Sequence, residues 1–553
     1  MKIAICSVPS RPDKVKNNYP PLGALAVMQS LGSAGYEPVF YDINLFRPSE
    51  DEMKEYFARN NFDVVGISSI VSTSYGFVKK LACIIKAVSP KTVIILGGRL
   101  AASSEVVLKF VPIDYCVIGE GENIILDLMR YVEHHQHDII MEELKKIKGL
   151  CFTDRSGHSV FTGYAEQPSI EDIRDPDYGI LKRFSNINDC IHDPFFYEQF
   201  KHDERSFEAH RNGKKLATVI SARGCVNRCA FCHRWQRGIK IFQVDRVVAH
   251  IRYLMDNFNV GYISFGDENF GASRQWVEEF IGKIAPLDIL YRVGGICTDD
   301  VDKDVLYRLK QSGCVAIHYG FESGCDRILT VMEKRSNIET NVKTAIWTRE
   351  VGLQTVPAFV MGMPGESYET VKETSVFVNR ITEGLPKPPV LSINALVTLP
   401  GTPVYEYARL IGAIGKTLAD EEKYLLKISD RGGESMLQLN LTDYPCLIVQ
   451  GWIRCITWAA HNNYYLKNRS WPGPRTIYGN AILFRMRYLV APLWMIYKSL
   501  REDRRLFIKR CIELLAWPFR KKRFKEYVPL RTLINREYGI LQADDIRQLR
   551  LGR

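Results

Sequence analysis

Twice along this chain, short runs of aliphatic and β-branched residues alternate with amphipathic helical stretches, and this alternation limits the fold more than any other feature. The first series predicts strands at Lys2–Val8, Glu37–Ile43, Asp63–Ser69, Thr92–Leu96 and Tyr115–Ile118, with helical segments such as Leu22–Ala34 and Ser74–Ala87 between them. Strands alternating with helices build a parallel, doubly wound sheet, because each parallel connection needs a crossover long enough to carry a helix. Ligands in such sheets bind beyond the carboxyl ends of the strands. The Gly-rich turns fall there: Gly97-Gly98 after the fourth strand, and Gly119-Glu120-Gly121-Glu122 after the fifth. The second series predicts strands at Leu216–Ser221, Gly261–Phe265, Leu290–Gly294, Cys314–Tyr319, Thr355–Met361 and Val390–Leu399. Six βα units in this order predict a full or partial (β/α) barrel.

The expected fold class is therefore α/β: an N-terminal doubly wound, Rossmann-like parallel sheet, then a partial (β/α)6 TIM-type barrel, then a helical C-terminal region. A chain of 553 residues exceeds what one hydrophobic core supports. The expected divisions are 1–135, a linker over 136–212, the barrel over 213–410, and a helical, basic region over 411–553. The linker holds a hairpin (Gly149–Phe161) and an acidic, proline-bearing stretch (Pro168–Tyr178). Hydrophobic residues at 46% and charged residues at 25% suit a soluble globular protein. The N-terminus lacks a signal-peptide pattern, and the best apolar run, Ile482 to Leu500, is interrupted by Arg485, Arg487 and Lys498. A cytoplasmic location is expected. The net charge of +11 is uneven: from Lys467 onward there are 21 Lys and Arg against 7 Asp and Glu. The basicity belongs to the tail, where Arg520-Lys521-Lys522-Arg523 reads as a solvated face, a lining for an acidic substrate, an RNA groove or a membrane-surface element.

Among the 14 cysteines, isolated ones in apolar runs, such as Cys83, Cys116 and Cys314, read as small buried hydrophobes. Cys225, Cys229 and Cys232 differ, sitting together in Arg223-Gly224-Cys225-Val226-Asn227-Arg228-Cys229-Ala230-Phe231-Cys232. Three thiolates on one short loop can hold three irons of a [4Fe–4S] cluster and leave the fourth iron open, whereas an electron carrier supplies a fourth ligand. The alternatives are chance clustering or a zinc knuckle, which wants four ligands and paired cysteines. His233 is adjacent, but no second cysteine pair lies nearby.

At this loop the sequence resembles the radical S-adenosylmethionine (radical SAM) superfamily, whose signature Cys-x3-Cys-x-aromatic-Cys is met by Cys225, Cys229, Phe231 and Cys232. The resemblance implies that the open iron chelates S-adenosylmethionine, that one electron yields a 5′-deoxyadenosyl radical, and that Phe231 lies against the adenine. Three further segments agree with it. Phe265-Gly266-Asp267-Glu268-Asn269-Phe270 stands where the family contacts the methionine amino group, although it departs from the commonest Gly-Gly-Glu form. Tyr319-Gly320-Phe321-Glu322-Ser323-Gly324 resembles the ribose-binding stretch, with Glu322 the hydroxyl acceptor and Ser323 beside it. Phe359-Val360-Met361-Gly362-Met363-Pro364-Gly365-Glu366 resembles the adenine-flanking segment, which gives Met361, Gly362 and Pro364 as contacts.

The N-terminal series resembles cobalamin-binding domains. Ser68-Ser69-Ile70 matches their Ser-x-Leu-like element, and Gly97-Gly98 follows with 26 residues between Ile70 and Gly97. Ser68, Ser69, Gly97, Gly98, Gly119 and Glu120 are the implied cobalamin contacts. The familiar Asp-x-His-x-x-Gly ligand motif is absent from Ser10–Asn18 and from Tyr19-Pro20-Pro21-Leu22-Gly23, and the first histidine of the chain is His134. The resemblance therefore implies base-off cobalamin without a protein histidine on cobalt.

Together these resemblances imply a cobalamin-dependent radical SAM enzyme that passes a methyl group from methylcobalamin to an unactivated carbon or phosphorus. The same motifs serve a non-methylating member, such as the anaerobic magnesium-protoporphyrin monomethyl ester cyclase or a ring-contracting enzyme. A tRNA methylthiotransferase would carry a second cysteine triad, whereas Cys6, Cys83 and Cys116 lie far apart. A cobalamin-sensing regulator would not need the cysteine loop. The expected partners are a small, anionic substrate and an external electron donor of the flavodoxin or ferredoxin type. Nucleic acid is not expected, and contact of the C-terminal region with a membrane surface stays open.

Overall fold

The computed structural model describes residues 1–10, 19–233, 238–271, 273–385, 387–431, 437–468, 486–502, 504–519 and 523–538. Most of the loop over Ser10–Asn18, Arg485, Trp471 and Arg520–Lys522 lie outside the described residues.

The first sheet holds β1 (Ile3–Ser7), β2 (Val39–Asp42), β3 (Val64–Ser68), β4 (Val93–Gly97), β5 (Tyr115–Val117), β6 (Leu150–Thr153) and β7 (Ser159–Phe161), in the order β2-β1-β3-β4-β5-β6-β7. The first five strands pair in parallel, and register puts Ser7, Ser68 and Gly97 on one line at their carboxyl ends. Strand order reverses at β1 and β3, so the crevice that such a reversal opens lies beside Ser7 and Ser68. The helix Leu22–Ser33 packs beside Gly121–His135, and Glu50–Asn60 packs beside Tyr75–Val88. Each turns an apolar stripe towards the sheet, with Leu25, Met28 and Leu31, Met53 and Phe57, Val78 and Leu81, and Ile124 and Leu128 buried. Cys116 and Cys314 are buried as expected, but Cys83 is exposed: it falls on the outer face of Tyr75–Val88, whose core face carries Val78, Leu81, Ala82 and Ile85.

The hairpin Gly149–Phe161 is no linker element. Its strands β6 and β7 extend the first sheet in antiparallel fashion beyond β5. A short connection permits only antiparallel pairing, and the unpaired edge of β5 was available to take it.

The second series forms a curved array of parallel strands. In chain order these are β8 (Lys215–Val219), the hairpin strands β9 (Ala222–Cys225) and β10 (Gly238–Ile241), then β11 (Val260–Phe265), β12 (Leu290–Gly294), β13 (Cys314–His318), β14 (Gly320–Glu322), β15 (Gln354–Thr355), β16 (Ala358–Met361) and β17 (Ser392–Ala395). One sheet runs β15-β13-β12-β11-β8, and a second runs β14-β16-β17. The fourth and fifth barrel strands are thus each broken in two, the fifth at Pro357, which has no N–H for a ladder. Among the described residues no pairing joins β17 to β8, so the barrel is open on that side.

The stretch between the two series does more than connect them. Phe200 enters the amino end of the barrel and packs with Leu216, Tyr262, Leu290 and Ala316 as a small apolar plug. Asp203 anchors it through Arg205 and Lys310. Although burial alone would raise its carboxyl, those two cations hold it well below the carboxylate range, at about 2.

The C-terminal region is helical and split between two duties. Leu418–Arg431 lies on the N-terminal unit, where the Tyr75 hydroxyl donates to Glu422 at 2.9 Å. Cys446–Lys467 packs along Tyr368–Ile381, with Trp452 buried against Tyr368 and Tyr444. No helix among the described residues is long and apolar enough to cross a membrane.

Candidate active site

The cysteine loop is a hairpin connection. Ala222–Cys225 pairs antiparallel with Gly238–Ile241, with Cys225 opposite Gly238, so Cys229 and Cys232 project from the turn beyond β8. Its position is held from both sides: the Ala230 N–H donates to Met332 O at 2.7 Å, and its carbonyl accepts from Val404 N–H at 3.1 Å. Arg531, paired with Glu333, donates to Arg228 O at 2.7 Å, so the C-terminal segment also braces the loop. Cys225 is half-buried, Cys229 is buried, and Cys232 is solvent-facing within dense surroundings. Burial pushes the Cys229 thiol up to about 11, against the pull of Lys334. Cys229 feels the charges of Cys225 and Cys232, and Cys232 feels that of Cys225, yet no three His, Cys, Asp or Glu among the described residues close on a single ion position. A [4Fe–4S] cubane spreads its three thiolates over three separate irons, so three separated thiols on one loop fit it.

Asp267 and Glu268, adjacent in sequence, do different things. Asp267 is buried, and its Oδ1 accepts the backbone N–H groups of Ser221 and Ala222, both at 2.7 Å, while Oδ2 accepts from the Ser221 hydroxyl at 3.1 Å. It therefore fixes the turn that launches β9 and the cysteine loop. Burial pushes its carboxyl up to about 7 in spite of these bonds. Glu268 instead faces a cavity and pairs with Arg99.

Glu322 ends β14 with φ of 64°, in the left-handed region that a non-glycine residue adopts only at some cost. Burial raises its carboxyl, and Lys334 Nζ at 3.4 Å pulls it back. Burial works to depress Lys334, but Glu322, Cys229 and Cys297 overcome it and keep the ammonium above its ordinary value. Neither Lys334 nor Cys297 carries a motif, yet Asn227 Nδ2 lies 3.2 Å from the Cys297 sulfur, which puts a fourth thiol beside the loop. Ser323 is buried and accepts from Cys325 N–H at 3.3 Å. Met361 and Pro364 are buried beside Gly362, whose N–H donates to Glu366 Oε2 at 2.6 Å. Burial pushes that Glu366 carboxyl up to about 8. Phe231 is partly buried against the core.

A cavity of about 940 Å³ lies between the carboxyl edge of the first sheet and the barrel mouth. Ser68, Gly97, Gly98, Gly119 and Glu120 line it from the first sheet. Ala222, Arg223, Gly224, Gly266 and Glu268 line it from the barrel. Ser69 does not, because its hydroxyl turns away to Ser74 Oγ at 2.5 Å. Gly98 is required: its φ is +85°, and a Cβ there would stand 2.2 Å from the Ser69 carbonyl oxygen. Two charged straps of opposite polarity cross the cavity. Arg99 of the first sheet meets Glu268 of the barrel, and Arg223 of the barrel meets Glu120 at 2.9 Å and Glu122 at 2.5 Å. Small-molecule pockets commonly span about 300–1,000 Å³, so this one has room for a large ligand. Its Gly-lined edge fits a planar macrocycle, and no histidine, cysteine or methionine lines it among the described residues.

Comparison with known proteins agrees with this arrangement. Residues 219–378 match the radical SAM superfamily, and residues 13–129 match the B12 binding domain. The anaerobic magnesium-protoporphyrin IX monomethyl ester cyclase of Rubrivivax gelatinosus is 27% identical over 371 residues, which cover 65% of this chain and 62% of that protein. The cytidylyl-2-hydroxyethylphosphonate methyltransferase of Streptomyces wedmorensis is 25% identical over 343 residues, covering 59% of this chain and 63% of that protein. The chain thus spans under two thirds of the length of either relative. The radical S-adenosylmethionine methyltransferase TsrM from Kitasatospora setae, solved with cobalamin and a [4Fe–4S] cluster, shares the fold with a TM-score of 0.58 at 18% identity, over 75% of this chain and 79% of that one. The Cys-x3-Cys-x2-Cys loop, the barrel and the Gly-edged sheet beside it thus make this chain a member of the radical SAM superfamily with an N-terminal B12-binding domain.

Proposed function

We propose that this chain is a cobalamin-dependent methyltransferase acting on an unactivated carbon, or phosphorus, of a small anionic molecule. The observation that carries the reading is the shared cavity. Its barrel wall is Ala222–Gly224, directly before Cys225, and its other wall is the Gly-edged sheet. A group held there adjoins the cysteine loop. Residues 1–135 are assigned to cobalamin and 213–410 to the cluster and S-adenosylmethionine.

Cys225, Cys229 and Cys232 would hold the [4Fe–4S] cluster, and Ser68, Gly97, Gly98, Gly119 and Glu120 would hold base-off cobalamin. When bound, the cluster supplies the electron that cleaves S-adenosylmethionine to a 5′-deoxyadenosyl radical, and cobalamin supplies the methyl group. Asp267 sets the turn that aims the cysteine loop. Lys334 favours the charged form of Glu322, the proposed acceptor from the ribose hydroxyls, and a charged acceptor strengthens such a bond. Arg99 and Arg223 tie the two walls of the cavity together. Electrons would come from a flavodoxin- or ferredoxin-type donor in a reducing cytoplasm.

The cyclase relative supports a second reading, oxidative ring closure without methyl transfer. Anaerobic turnover of reconstituted protein separates the two. Deoxyadenosine and S-adenosylhomocysteine in comparable yield support methyl transfer, and deoxyadenosine alone favours the cyclase reading.

A further inference from the structure

Inside the barrel, a layer of polar side chains sits between the apolar plug and the strand ends. Neighbouring residues fix which way the strands point. Phe265 packs outward on Phe280 and Tyr291, the Tyr291 hydroxyl reaches Ser312 Oγ at 2.7 Å, and the Tyr319 hydroxyl reaches Thr348 Oγ1 at 3.0 Å. Strand side chains alternate, so Ser264, Arg292 and His318 face inward. Below them lie Tyr262, Leu290 and Ala316 of the plug. Above them, at the next inward positions, stand Gly266, Gly294 and Gly320. At Gly294 a Cβ would meet nothing nearer than Phe265 O at 3.9 Å, so the inward side of that position is uncrowded.

Arg292 is the unusual member of this layer. Its Nη2 donates to His318 Nε2 at 2.9 Å, and its guanidinium lies 4.0 Å from the centre of the Tyr197 ring. Among the described residues it has no ion pair with any carboxylate, and the acidic groups felt around it are only the Tyr197 and Tyr19 hydroxyls. Burial accordingly lowers its pKa, and burial with Arg292 alongside holds His318 down at about 4, so the imidazole is neutral and accepts. The Tyr197 hydroxyl bonds that of Tyr19 at 2.7 Å, and Tyr19 also lines the large cavity. A cation taken out of water without a counter-ion is costly, and an apolar side chain of similar length in its place relieves that cost. A planar, fork-shaped donor set is suited to a carboxylate or phosphate.

We propose that Arg292, oriented by His318 and Tyr197, is the oxyanion seat for the organic substrate, taking its carboxylate or phosphate inside the barrel below Gly294. This deepens the methyltransferase reading and rests on it for the word substrate. The seat holds the anion one layer beneath the strand ends, so the rest of the molecule rises towards the cysteine loop and the cavity.

The test uses the full chain, loaded with cluster and cobalamin, in buffers of constant ionic strength. Thermal unfolding and calorimetry with inorganic phosphate, or with acetate, should show saturable binding to the natural chain. Arg292→Met should weaken it at least tenfold, and Arg292→Lys should weaken it less. Without either anion, Arg292→Met should unfold no earlier than the natural chain. An earlier transition would mark a structural cation and overturn the proposal, as would anion binding that ignores residue 292. The 13C-labelled His318 signal should shift with anion in the natural chain and not in Arg292→Met, which reads the site directly even if the variants differ in stability. Equilibrium binding of S-adenosylmethionine should be unchanged in Arg292→Met. A tenfold loss there would assign the seat to the co-substrate's own carboxylate and overturn the substrate assignment. None of these readouts depends on methyl transfer, so the seat and the methyltransferase reading can fail separately.

Discussion

Replacing Asp267 tests whether a buried carboxyl aims the cysteine loop. Its Oδ1 takes two backbone N–H groups, from Ser221 and Ala222, at 2.7 Å each. Leaving a buried donor unsatisfied costs about 1–3 kcal/mol, so Asp267→Ala should cost about 2–6 kcal/mol before relaxation. The carboxyl itself is lifted from 3.8 to about 7 by burial. At about 1.4 kcal/mol per pH unit this corresponds to about 4 kcal/mol of stability. The sign follows from proton binding. The folded state holds the proton more tightly than the unfolded chain, so stability is full below pH 3.8 and is lost as pH rises to about 7. Asp267→Asn keeps an oxygen for both N–H groups and does not titrate. Its stability relative to the natural chain should therefore improve by up to about 4 kcal/mol between pH 4 and pH 8. Urea unfolding at pH 5, 6.5 and 8, with iron content after reconstitution, reads both effects. The Ala variant should show a larger loss at pH 5 than at pH 8 and should retain less iron. An Asn variant whose difference from the natural chain is flat with pH, or an Ala variant with natural stability and full iron, would refute the reasoning.

Four further outcomes are expected. Arg223→Met removes contacts to Glu120 and Glu122 and leaves both carboxylates at the cavity wall; charge-assisted bonds of about 1.5–3 kcal/mol each predict cobalamin binding at least tenfold weaker in an absorbance titration. Gly98→Ala sets a Cβ against the Ser69 carbonyl at positive φ, so it should lower stability by at least about 1–3 kcal/mol in urea, and a natural midpoint would contradict this. Glu322→Ala should weaken S-adenosylmethionine binding about tenfold or more with the cluster intact, and unchanged affinity would move the ribose contact elsewhere. Electron paramagnetic resonance of the cob(II)alamin form should lack axial nitrogen splitting, because no histidine lines the cavity among the described residues; clear nitrogen lines would disprove it.

Local pattern was enough to read the two βα series, the cysteine loop and the Gly-Gly turn, because each depends on residues close in sequence. Alternating periods specify strands and helices, three thiols within eight residues must share a loop, and Gly98 is needed for a backbone turn. Spacing also separated Cys225, Cys229 and Cys232 from the other cysteines, although it misjudged Cys83, whose exposure depends on which face its helix turns to the sheet. What distant segments do to one another was not legible. The edge of β5 captured the hairpin, Phe200 plugged the barrel, and the first sheet docked so that Arg223 met Glu120 and Glu122 across a cavity. Asp267 and Glu268 are neighbours in one motif just past β11, yet one is buried under the N–H groups of Ser221 and Ala222 and the other faces the cavity. Lys334 and Arg292 had no motif to announce them. Their importance comes from burial and from the presence or absence of a counter-charge, which only the packed chain decides, because the energy of a charge is set by what surrounds it in space.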